Sequence, residues 1–315
     1  MDAKRLSTYG ALALLTLIWG TTWAAIRIGL HGIPPATGIA LRFAIAAAAL
    51  LAVAPALGVR APSIRREWRL WATNALLTFC ISYGIVYWAE QWVPSGLAAV
   101  LFATFPLWVA ALSHFALPGE RLSAARVAGL LLGLAGVAVI FSEDLAGWGG
   151  PRVAAAAAVL LLSPFCSAIA SIAVKRWGTD SHPLTTAAIP MAATALLMGA
   201  FALATERGRT VHFDASSVAA LLYLALAGSA VTFTLYFWLL KRLPATSLAL
   251  ITYGTPVVAV AVGAAWLGEP VTRRTLAGSA LIVMGVALAL RSRRAPSSAA
   301  PEAVGSEGGE AGEAG

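Results

Sequence analysis

Ten long apolar stretches, separated by short loops, constrain this chain more than any other feature of its sequence. A helix of roughly 20 apolar residues spans the hydrocarbon core of a bilayer. Charged residues make up only 11% of the 315-residue chain, whereas soluble domains carry roughly 25%. We therefore expect an all-α integral membrane protein with ten transmembrane helices. These are predicted near residues 9–30, 36–57, 70–89, 95–117, 127–142, 153–174, 184–204, 216–240, 245–267 and 276–290.

The basic residues predict how the chain is oriented in the membrane. Of the 22 Lys and Arg residues, fifteen fall on the side of the N-terminus, five fall on the opposite side, and Arg27 and Arg42 lie within spans. Because cytoplasmic loops are enriched in Lys and Arg, we expect a multi-pass protein of the cytoplasmic (inner) membrane with both termini in the cytoplasm. The Arg273-Arg274 pair goes against this rule. The net charge of +8 is thus an orientation signal, and no nucleic-acid partner is expected.

An internal repeat divides the chain into two halves. Each half holds five spans, an odd number, so the second half must enter the membrane with the opposite orientation. Inverted repeats of this kind are typical of secondary transporters, with the substrate site near the bilayer midplane. Landmark residues are related by an offset of 148 to 150 positions. These pairs are Arg27 and Lys175, Tyr83 and Phe233, Tyr87 and Phe237, Trp88 and Trp238, Pro94 and Pro244, Pro106 and Pro256, and Gly119-Glu120 and Gly268-Glu269.

The repeat fixes the expected domain boundaries. A cytoplasmic N-terminus at 1–8 precedes a first five-helix repeat at 9–142, an external linker at 143–152 and a second five-helix repeat at 153–291. The tail at 292–315 consists mainly of Ala, Gly, Ser, Pro and Glu. Such a composition buries too little apolar surface to order a segment, so we expect a disordered cytoplasmic tail.

Short motifs in both halves resemble one known family. They are Trp19-Gly20-Thr21-Thr22-Trp23 with Arg27, Leu41-Arg42-Phe43, Tyr87-Trp88-Ala89, Pro94-Ser95-Gly96-Leu97, Pro106 and Gly119-Glu120-Arg121, with Pro244, Pro256 and Gly268-Glu269 in the second half. Over residues 9–291 the chain resembles the drug/metabolite transporter superfamily, EamA-like branch. The resemblance implies two five-helix halves around a central cavity, with the fifth and tenth helices peripheral. It also implies export or exchange of amino acids, nucleotide sugars, cofactors, drugs or other metabolites. Glu90 departs from the family pattern, which usually has an apolar residue there.

Four ionisable residues are the candidate gate or charge-carrying groups, because charges at lipid depth are costly and usually functional. Arg27, Arg42 and Glu90 are expected at similar depth near the external face, and we hypothesise that Glu90 pairs with Arg42 or Arg27 and shapes an external gate. The alternatives are a static pair or side chains that reach the headgroups. His114 is expected deep in the fourth span, where it either carries a proton or packs structurally.

The candidate cavity residues are aromatic and hydroxyl side chains near the predicted midplane. Pro106 and Pro256 are expected to kink their helices and to release the carbonyls of Phe102 and Thr252. Core packing is the alternative explanation for any single aromatic residue. The predicted cavity set is Trp19, Thr22, Trp23, Tyr83, Tyr87, Trp88, Thr104, Trp238, Thr252 and Tyr253.

Glycines and carboxylates at other positions have structural interpretations. Gly129, Gly133 and Gly136 form a small-residue face that permits close helix contact, either within the chain or in a homodimer. Glu120 and Glu269 are expected to cap the helix that follows each of them. The two cysteines, Cys80 and Cys166, have no metal or disulfide spacing.

The features together predict a secondary transporter that moves a small metabolite across the cytoplasmic membrane by alternating access, with export of an amino acid or similar organic solute. A lipid or amphiphile translocator and a non-transporting membrane sensor of the same fold are the alternatives. No catalytic cluster or nucleotide-binding loop is evident, so we expect no enzyme activity, no cofactor and no metal. The expected partners are the small-molecule substrate and membrane lipid. Proton coupling through Glu90 or His114, exchange and facilitated diffusion all stay open.

Overall fold

The computed structural model describes residues 3–59, 64–93, 95–140, 142, 150–258 and 272–291, and all regular structure in these ranges is helical. The first half contains α1 (Ala3–Gly32), α2 (Pro35–Val53), α3 (Ile64–Thr73, Asn74–Ser82 and Tyr83–Ala89), α4 (Ser95–Phe102 and Phe105–Ala116) and α5 (Ala124–Ile140). The second half contains α6 (Pro151–Leu160 and Leu162–Trp177), α7 (Pro183–Thr205), α8 (Ala215–Ala225, Leu226–Val231 and Thr232–Arg242), α9 (Ala245–Val258) and α10 (Arg273–Arg291).

Eight of these helices are long and apolar enough to cross a membrane, and α5 and α9 are shorter apolar helices. The chain is therefore a multi-pass membrane protein. Several predicted features lie outside the described residues: Pro94, the Gly268-Glu269 turn, the ninth span beyond residue 258, most of the linker at 143–152 and the tail at 292–315.

Helices α3 and α8 each contain a π-helical segment, Asn74–Ser82 in α3 and Leu226–Val231 in α8. Their last residues are 149 positions apart (231 − 82). Such segments are rare and often occur at functional sites. In α8 the carbonyl of Gly228 accepts a hydrogen bond from Arg42 of α2.

A basic side chain caps the same helix end in each half. Arg27 of α1 donates to the carbonyl of Val93, just after α3, at 3.4 Å. Lys175 of α6 donates to the carbonyl of Leu243, just after α8, at 2.8 Å. The cations are 148 positions apart (175 − 27) and the acceptors 150 (243 − 93). A cation suits the negative end of a helix dipole, so the two halves use one device at equivalent places.

Helices α5 and α10 pack closely through glycine. A Cβ added to Gly129 would lie 2.6 Å from the carbonyl oxygen of Gly285, and one added to Gly136 would lie 2.6 Å from that of Gly278. A Cβ on Gly133 would lie 2.6 Å from the ring of Tyr253 on α9. This small-residue face is therefore occupied within the chain. The alternative that it forms a homodimer face is wrong, because α10 already fills it.

Carboxylates cap helices across the chain. Glu120 accepts hydrogen bonds from the backbone N–H of Ala245 at 2.8 Å and of Thr246 at 3.1 Å, and from the Thr246 hydroxyl at 2.8 Å. The prediction that Glu120 caps the helix following it is wrong: its partner is α9, because α9 begins beside the end of α4. Glu206 likewise receives the N–H groups of Ala36 and Thr37 at the start of α2.

Candidate functional site: a central cavity

A central cavity lies among helices α1, α3, α4, α6, α8 and α9, with Arg42 of α2 in its wall. It contains about 890 Å³ of space not filled by protein atoms, its opening included. Its lining is mostly aromatic and hydroxyl side chains. The lining residues are Trp19, Thr22, Trp23, Ile26, Arg42, Thr78, Ser82, Tyr83, Val86, Ala99, Phe102, Ala103, Phe105, Ser167, Ser171, Phe233, Tyr236, Phe237, Thr252 and Thr255.

Many of the lining residues form pairs related by the offset that organises the sequence. Equivalent helices of the two halves therefore face the same space, as expected if the cavity lies between them. The pairs at 148 positions are Trp19 and Ser167, and Trp23 and Ser171; those at 150 positions are Tyr83 and Phe233, Val86 and Tyr236, Phe102 and Thr252, and Phe105 and Thr255.

Several paired positions differ in chemistry, so the cavity wall carries both aromatic rings and hydroxyl groups. The ring of Trp19 lies 5.7 Å from that of Phe233, and the ring of Trp23 lies 5.6 Å from that of Phe102. The Tyr236 hydroxyl donates to Ser171 Oγ at 3.0 Å, and the Tyr236 ring lies 5.5 Å from that of Trp19. Ligand pockets commonly combine apolar walls with a few placed polar groups. This cavity suits a solute with both an apolar and a polar part.

Arg42 is the charged residue of the cavity wall, and its side chain is 1% exposed. Its guanidinium donates from Nε to Ser229 Oγ at 2.7 Å, from Nη1 to the Tyr87 hydroxyl at 3.1 Å and from Nη2 to the Gly228 carbonyl at 3.0 Å. It also lies 4.8 Å from the centre of the Tyr83 ring. All these partners are neutral, and no ion pair with a carboxylate is found for Arg42 among the described residues. The wall therefore carries a buried positive charge that no carboxylate of the described residues contacts.

Glycine occupies position 228, where α8 approaches α1 and Arg42. A Cβ there would lie 3.1 Å from Thr22 Cγ2 and 3.5 Å from Arg42 Nη2. A side chain at this position would therefore press against Thr22 of α1, whereas its distance to Arg42 would be an ordinary van der Waals contact.

Glu90 follows the last residue of α3 and is 2% exposed. Neither of its carboxylate oxygens has a hydrogen-bond partner within the part of the chain that the structure describes. The hypothesis that Glu90 pairs with Arg42 or Arg27 does not hold in this conformation. Arg42 is held by neutral acceptors on α8 and α3, and the exposed Arg27 reaches the carbonyl of Val93. Glu90 is therefore a buried carboxyl group that no cation in the described part of the chain contacts.

The structure brings six predicted residues together at the cavity: Trp19, Thr22, Trp23, Arg42, Tyr83 and Thr252. The predicted proline kinks lie next to it. Pro106 follows the lining residue Phe105 in the second segment of α4, and Pro256 follows Thr255. The Thr255 hydroxyl donates to the carbonyl of Thr252 at 2.9 Å, the carbonyl that Pro256 leaves without an N–H donor four residues later.

Five other predicted cavity residues do not line it. Tyr87 is buried and accepts from Arg42, and Trp88 is exposed with its ring 5.0 Å from that of Trp92. Thr104 donates to the carbonyl of Leu101 in its own helix. Trp238 stacks under Arg242, and the buried Tyr253 donates to the Leu130 carbonyl on α5. Helical phase explains these misses, since a residue near the right depth can still face lipid or a neighbouring helix.

His114 lies in the last turn of α4 and is exposed, not deep within the span. Its Nδ1 accepts the backbone N–H of Leu122 at 3.3 Å. The predicted span at 95–117 and α4 end within one residue of each other, so His114 belongs to the last turn of both, and the expectation that it lies deep is wrong.

Sequence reasoning missed several lining residues, among them Thr78, Ser82, Ser167, Ser171, Phe102, Phe105, Phe233, Tyr236, Phe237 and Thr255. The repeat offset was the signal that could have found many of them. Adding 148 to Trp19 and Trp23 gives Ser167 and Ser171. Tryptophan in the first half corresponds to serine in the second half at these positions, so a comparison of residue types alone does not show that they are equivalent.

No group of three or more His, Cys, Asp or Glu side chains that could hold a metal ion occurs in the described ranges. Cys80 and Cys166 are free cysteines, and the Cys80 thiol donates to the Thr194 hydroxyl at 3.6 Å. The polar chemistry of the site therefore comes from Arg42 and the hydroxyl side chains.

Comparison with known proteins identifies the family. A solved crystal structure with 25% sequence identity superposes with a TM-score of 0.76 over 91% of this chain and 99% of that one. The uncharacterized inner membrane transporter YedA of Escherichia coli K12 is 32% identical over 287 residues, 90% of each chain. A probable terminal-alkyne amino-acid exporter of Streptantibioticus cattleyicolor is 32% identical over 280 residues, 88% of this chain and 91% of that one. Residues 6–142 and residues 154–291 each match the model of one family, and the chain belongs to this EamA-like transporter family.

Proposed function

We propose that this protein is a secondary transporter that exports a small amphipathic carboxylate, such as an amino acid, across the cytoplasmic membrane by alternating access. The observation that carries the proposal is the central cavity with Arg42 in its wall. The wall presents a buried guanidinium without a contacting counter-charge beside aromatic rings and hydroxyl groups.

Alternating access follows from two halves of opposite orientation around one site. Paired lining positions, paired helix caps and paired π-helical segments all support such an arrangement, and each half matches the family model separately. In an inverted repeat, the conformation of one half and that of the other can be exchanged, which opens the same site to the opposite side. Ten membrane spans with both termini in the cytoplasm fit this mechanism.

The cavity chemistry favours a solute with a carboxylate and an apolar group. A guanidinium binds carboxylate through two parallel hydrogen bonds, and Arg42 lies in the cavity wall. The rings of Trp19, Trp23 and Phe102 offer a surface for the apolar part. Ser167 and Ser171 also line the cavity and suit an amine or hydroxyl group. The relative named as an amino-acid exporter supports this solute class.

A metabolite screen tests the proposal. The protein is expressed in a bacterium with few exporters, and the metabolites that leave the cells are compared between wild type and Arg42→Gln. Arg66→Gln is the matched control, because Arg66 is 77% exposed and pairs with Asp180 at the surface. We expect one or more carboxylate solutes to appear outside cells that carry wild type or the control, but not outside cells that carry Arg42→Gln. Equal efflux from all three strains contradicts the proposal.

Reconstituted protein separates the alternatives. Liposomes are loaded with the solute found in the screen, and a fluorescent phospholipid is placed in one leaflet. Solute release supports transport of a soluble metabolite. Movement of the phospholipid without solute release supports a lipid translocator, and the absence of both supports a sensor.

A further inference from the structure

We propose that Glu90 is a proton-binding residue, and that its ionised carboxylate competes with helix α8 and with the solute carboxylate for the guanidinium of Arg42. The competition with the solute rests on the proposed function. The binding of a proton by Glu90 and its competition with α8 do not. Glu90 is buried and is not among the residues that line the cavity.

The first step is the position of Glu90. Tyr83, Tyr87 and Glu90 are spaced by four and three residues and therefore share one face of α3. Side chains on a helix lean toward its N-terminal end, so Glu90 lies over the turn that carries Tyr87. Arg42 already contacts two members of this face, the ring of Tyr83 and the hydroxyl of Tyr87. The next turn along the face is Glu90.

The second step is the missing partner. An ionised carboxylate that is buried without hydrogen bonds is strongly disfavoured. Both carboxyl oxygens of Glu90 are buried and have no hydrogen-bond partner among the described residues. Glu90 can therefore either hold a proton or attract a cation. The contacts in this structure favour the protonated form, because no cation is bonded to either oxygen among the described residues. Arg42 is a long side chain one helical turn away with a charge that no carboxylate contacts here.

The third step is the competition for Arg42. To reach Glu90, the guanidinium must leave Ser229 and Gly228, both of which belong to the second half of the chain. An ionised Glu90 therefore weakens the contact between α2 and α8, and a protonated Glu90 leaves it intact. A solute carboxylate on Arg42 has the same effect on Glu90 as the loss of Arg42, because it neutralises the attracting charge. By linkage, solute and proton then favour each other's binding.

The surroundings of Glu90 are simple. Burial raises the pKa of Glu90 to about 8, against the attraction of Arg27 and then Arg42. Arg42 is the one ionisable residue of α2, and α1 adds Arg27 and the exposed His31 at its outer end. Arg152, exposed at the start of α6, is the ionisable residue of the segment Pro151–Leu160. Within the described ranges, Arg27 and Arg42 are thus the charges that act on Glu90.

The experiment follows the protonated carboxyl group directly. Infrared difference spectra of the purified full-length protein are recorded between about pH 6 and pH 10, and the carbonyl band of Glu90 is the one absent from Glu90→Gln. We expect this band to titrate in wild type. In Arg42→Gln its midpoint rises by about one pH unit or more, a tenfold gain in proton affinity, because the attracting charge is gone. In Ser229→Ala its midpoint falls, because Arg42 loses its acceptor on α8.

The outcomes separate this inference from the proposed function. A midpoint that is the same in Ser229→Ala and wild type overturns the competition, and a spectrum without a Glu90-dependent band overturns the proton site. If Arg42→Gln does not fold, Arg42→Lys takes its place. Lysine keeps the positive charge but lacks two parallel N–H donors, so we expect only a small shift of the midpoint. Two compounds serve as solute probes. We expect 3-phenylpropionate to raise the midpoint of the Glu90 band, and we expect 2-phenylethylamine, which lacks the carboxylate, to leave it unchanged. A null result with these probes alone counts against the carboxylate solute of the proposed function.

Discussion

Arg42 on helix α2 donates from Nε to the hydroxyl of Ser229 on helix α8 at 2.7 Å, across 187 positions of sequence. This bond and the neighbouring one to the Gly228 carbonyl join the first half of the chain to a π-helical segment of the second. Because the same guanidinium faces the central cavity, a ligand that binds Arg42 acts on the contact between the halves. Binding and conformation are thus connected through one side chain.

Arg42→Lys is the first variant to measure. Lysine keeps the positive charge but cannot present two parallel N–H donors to a carboxylate. A hydrogen bond to a charged group contributes roughly 1.5–3 kcal/mol, so kcat/KM for a carboxylate solute should fall by about 10- to 100-fold in proteoliposome efflux. Arg66→Lys at the surface should transport as wild type does. Unchanged kinetics for Arg42→Lys would mean that the guanidinium does not touch the solute.

A second prediction concerns the pH dependence of stability. The pKa of Glu90 is about 8 in the folded protein and its ordinary value is 4.5. Between these values the folded state binds more protons than the unfolded state, so stability falls as pH rises. Glu90→Gln cannot ionise and lacks this loss. The thermal unfolding midpoint of wild type should therefore drop relative to that of Glu90→Gln from about pH 5 to about pH 8, and then level off.

This second prediction is contradicted if the thermal unfolding midpoints of wild type and Glu90→Gln differ by the same amount over the whole pH range. Such a result would show that Glu90 binds protons equally well in the folded and unfolded chain. Asp180→Asn provides a control, because Asp180 is 83% exposed at the surface and lies outside the buried site.

The helix caps across the chain give a third prediction. Glu120→Ala removes the acceptor for three donors at the start of α9, and a lost cap or an unsatisfied buried donor costs roughly 1–3 kcal/mol. Its thermal unfolding midpoint in detergent should fall clearly below that of wild type. Asp180→Asn is the matched control, because Asp180 is 83% exposed and pairs with Arg66 at the surface, where such pairs contribute about 0–1 kcal/mol. Equal midpoints for the two variants would contradict the structural role of Glu120.

The sequence predicted the helical membrane fold because ten apolar stretches leave few other structures for a chain in lipid. Trp19 and Trp23, which were predicted to line a cavity, and Arg42, which was predicted near the external face, all lie in the cavity wall. The sequence could not predict which way each side chain points. Trp88 and Trp238 share the repeat offset with Tyr83 and Phe233, but they lie on faces of α3 and α8 that turn away from the cavity.

Two further features were not predictable from residue spacing. The π-helical segments change the helical phase within α3 and α8, so that a regular period of 3.6 residues misplaces the faces beyond them. The caps on α9 and α2 join residues more than 120 positions apart. Such contacts depend on how the helices pack, which a local pattern does not encode.

The contact between α5 and α10 supports a fourth prediction. Gly129→Ala places a methyl group where backbone atoms of α10 lie 2.6 Å away, and rigid backbone cannot move aside as a side chain can. The variant should lower the thermal unfolding midpoint and the yield of folded protein. Gly84→Ala is the matched control, because nothing lies within 4 Å of a Cβ at Gly84 and alanine is roughly 1 kcal/mol better than glycine in a helix. A stable Gly129→Ala variant would show that the two helices are farther apart in the membrane.

The opposite orientation of the two halves gives the last prediction. Arg121 follows α4 and Arg273 begins α10, and both side chains are exposed. If the halves are inverted, Arg121→Cys lies in the cytoplasm and Arg273→Cys lies outside. In a background where Cys80 and Cys166 are replaced by serine, a membrane-impermeant maleimide added to whole cells should label Arg273→Cys and spare Arg121→Cys until the cells are opened. Labelling of both cysteines in intact cells would place the two loops on one side. An alternating mechanism based on inverted halves would then have no structural basis.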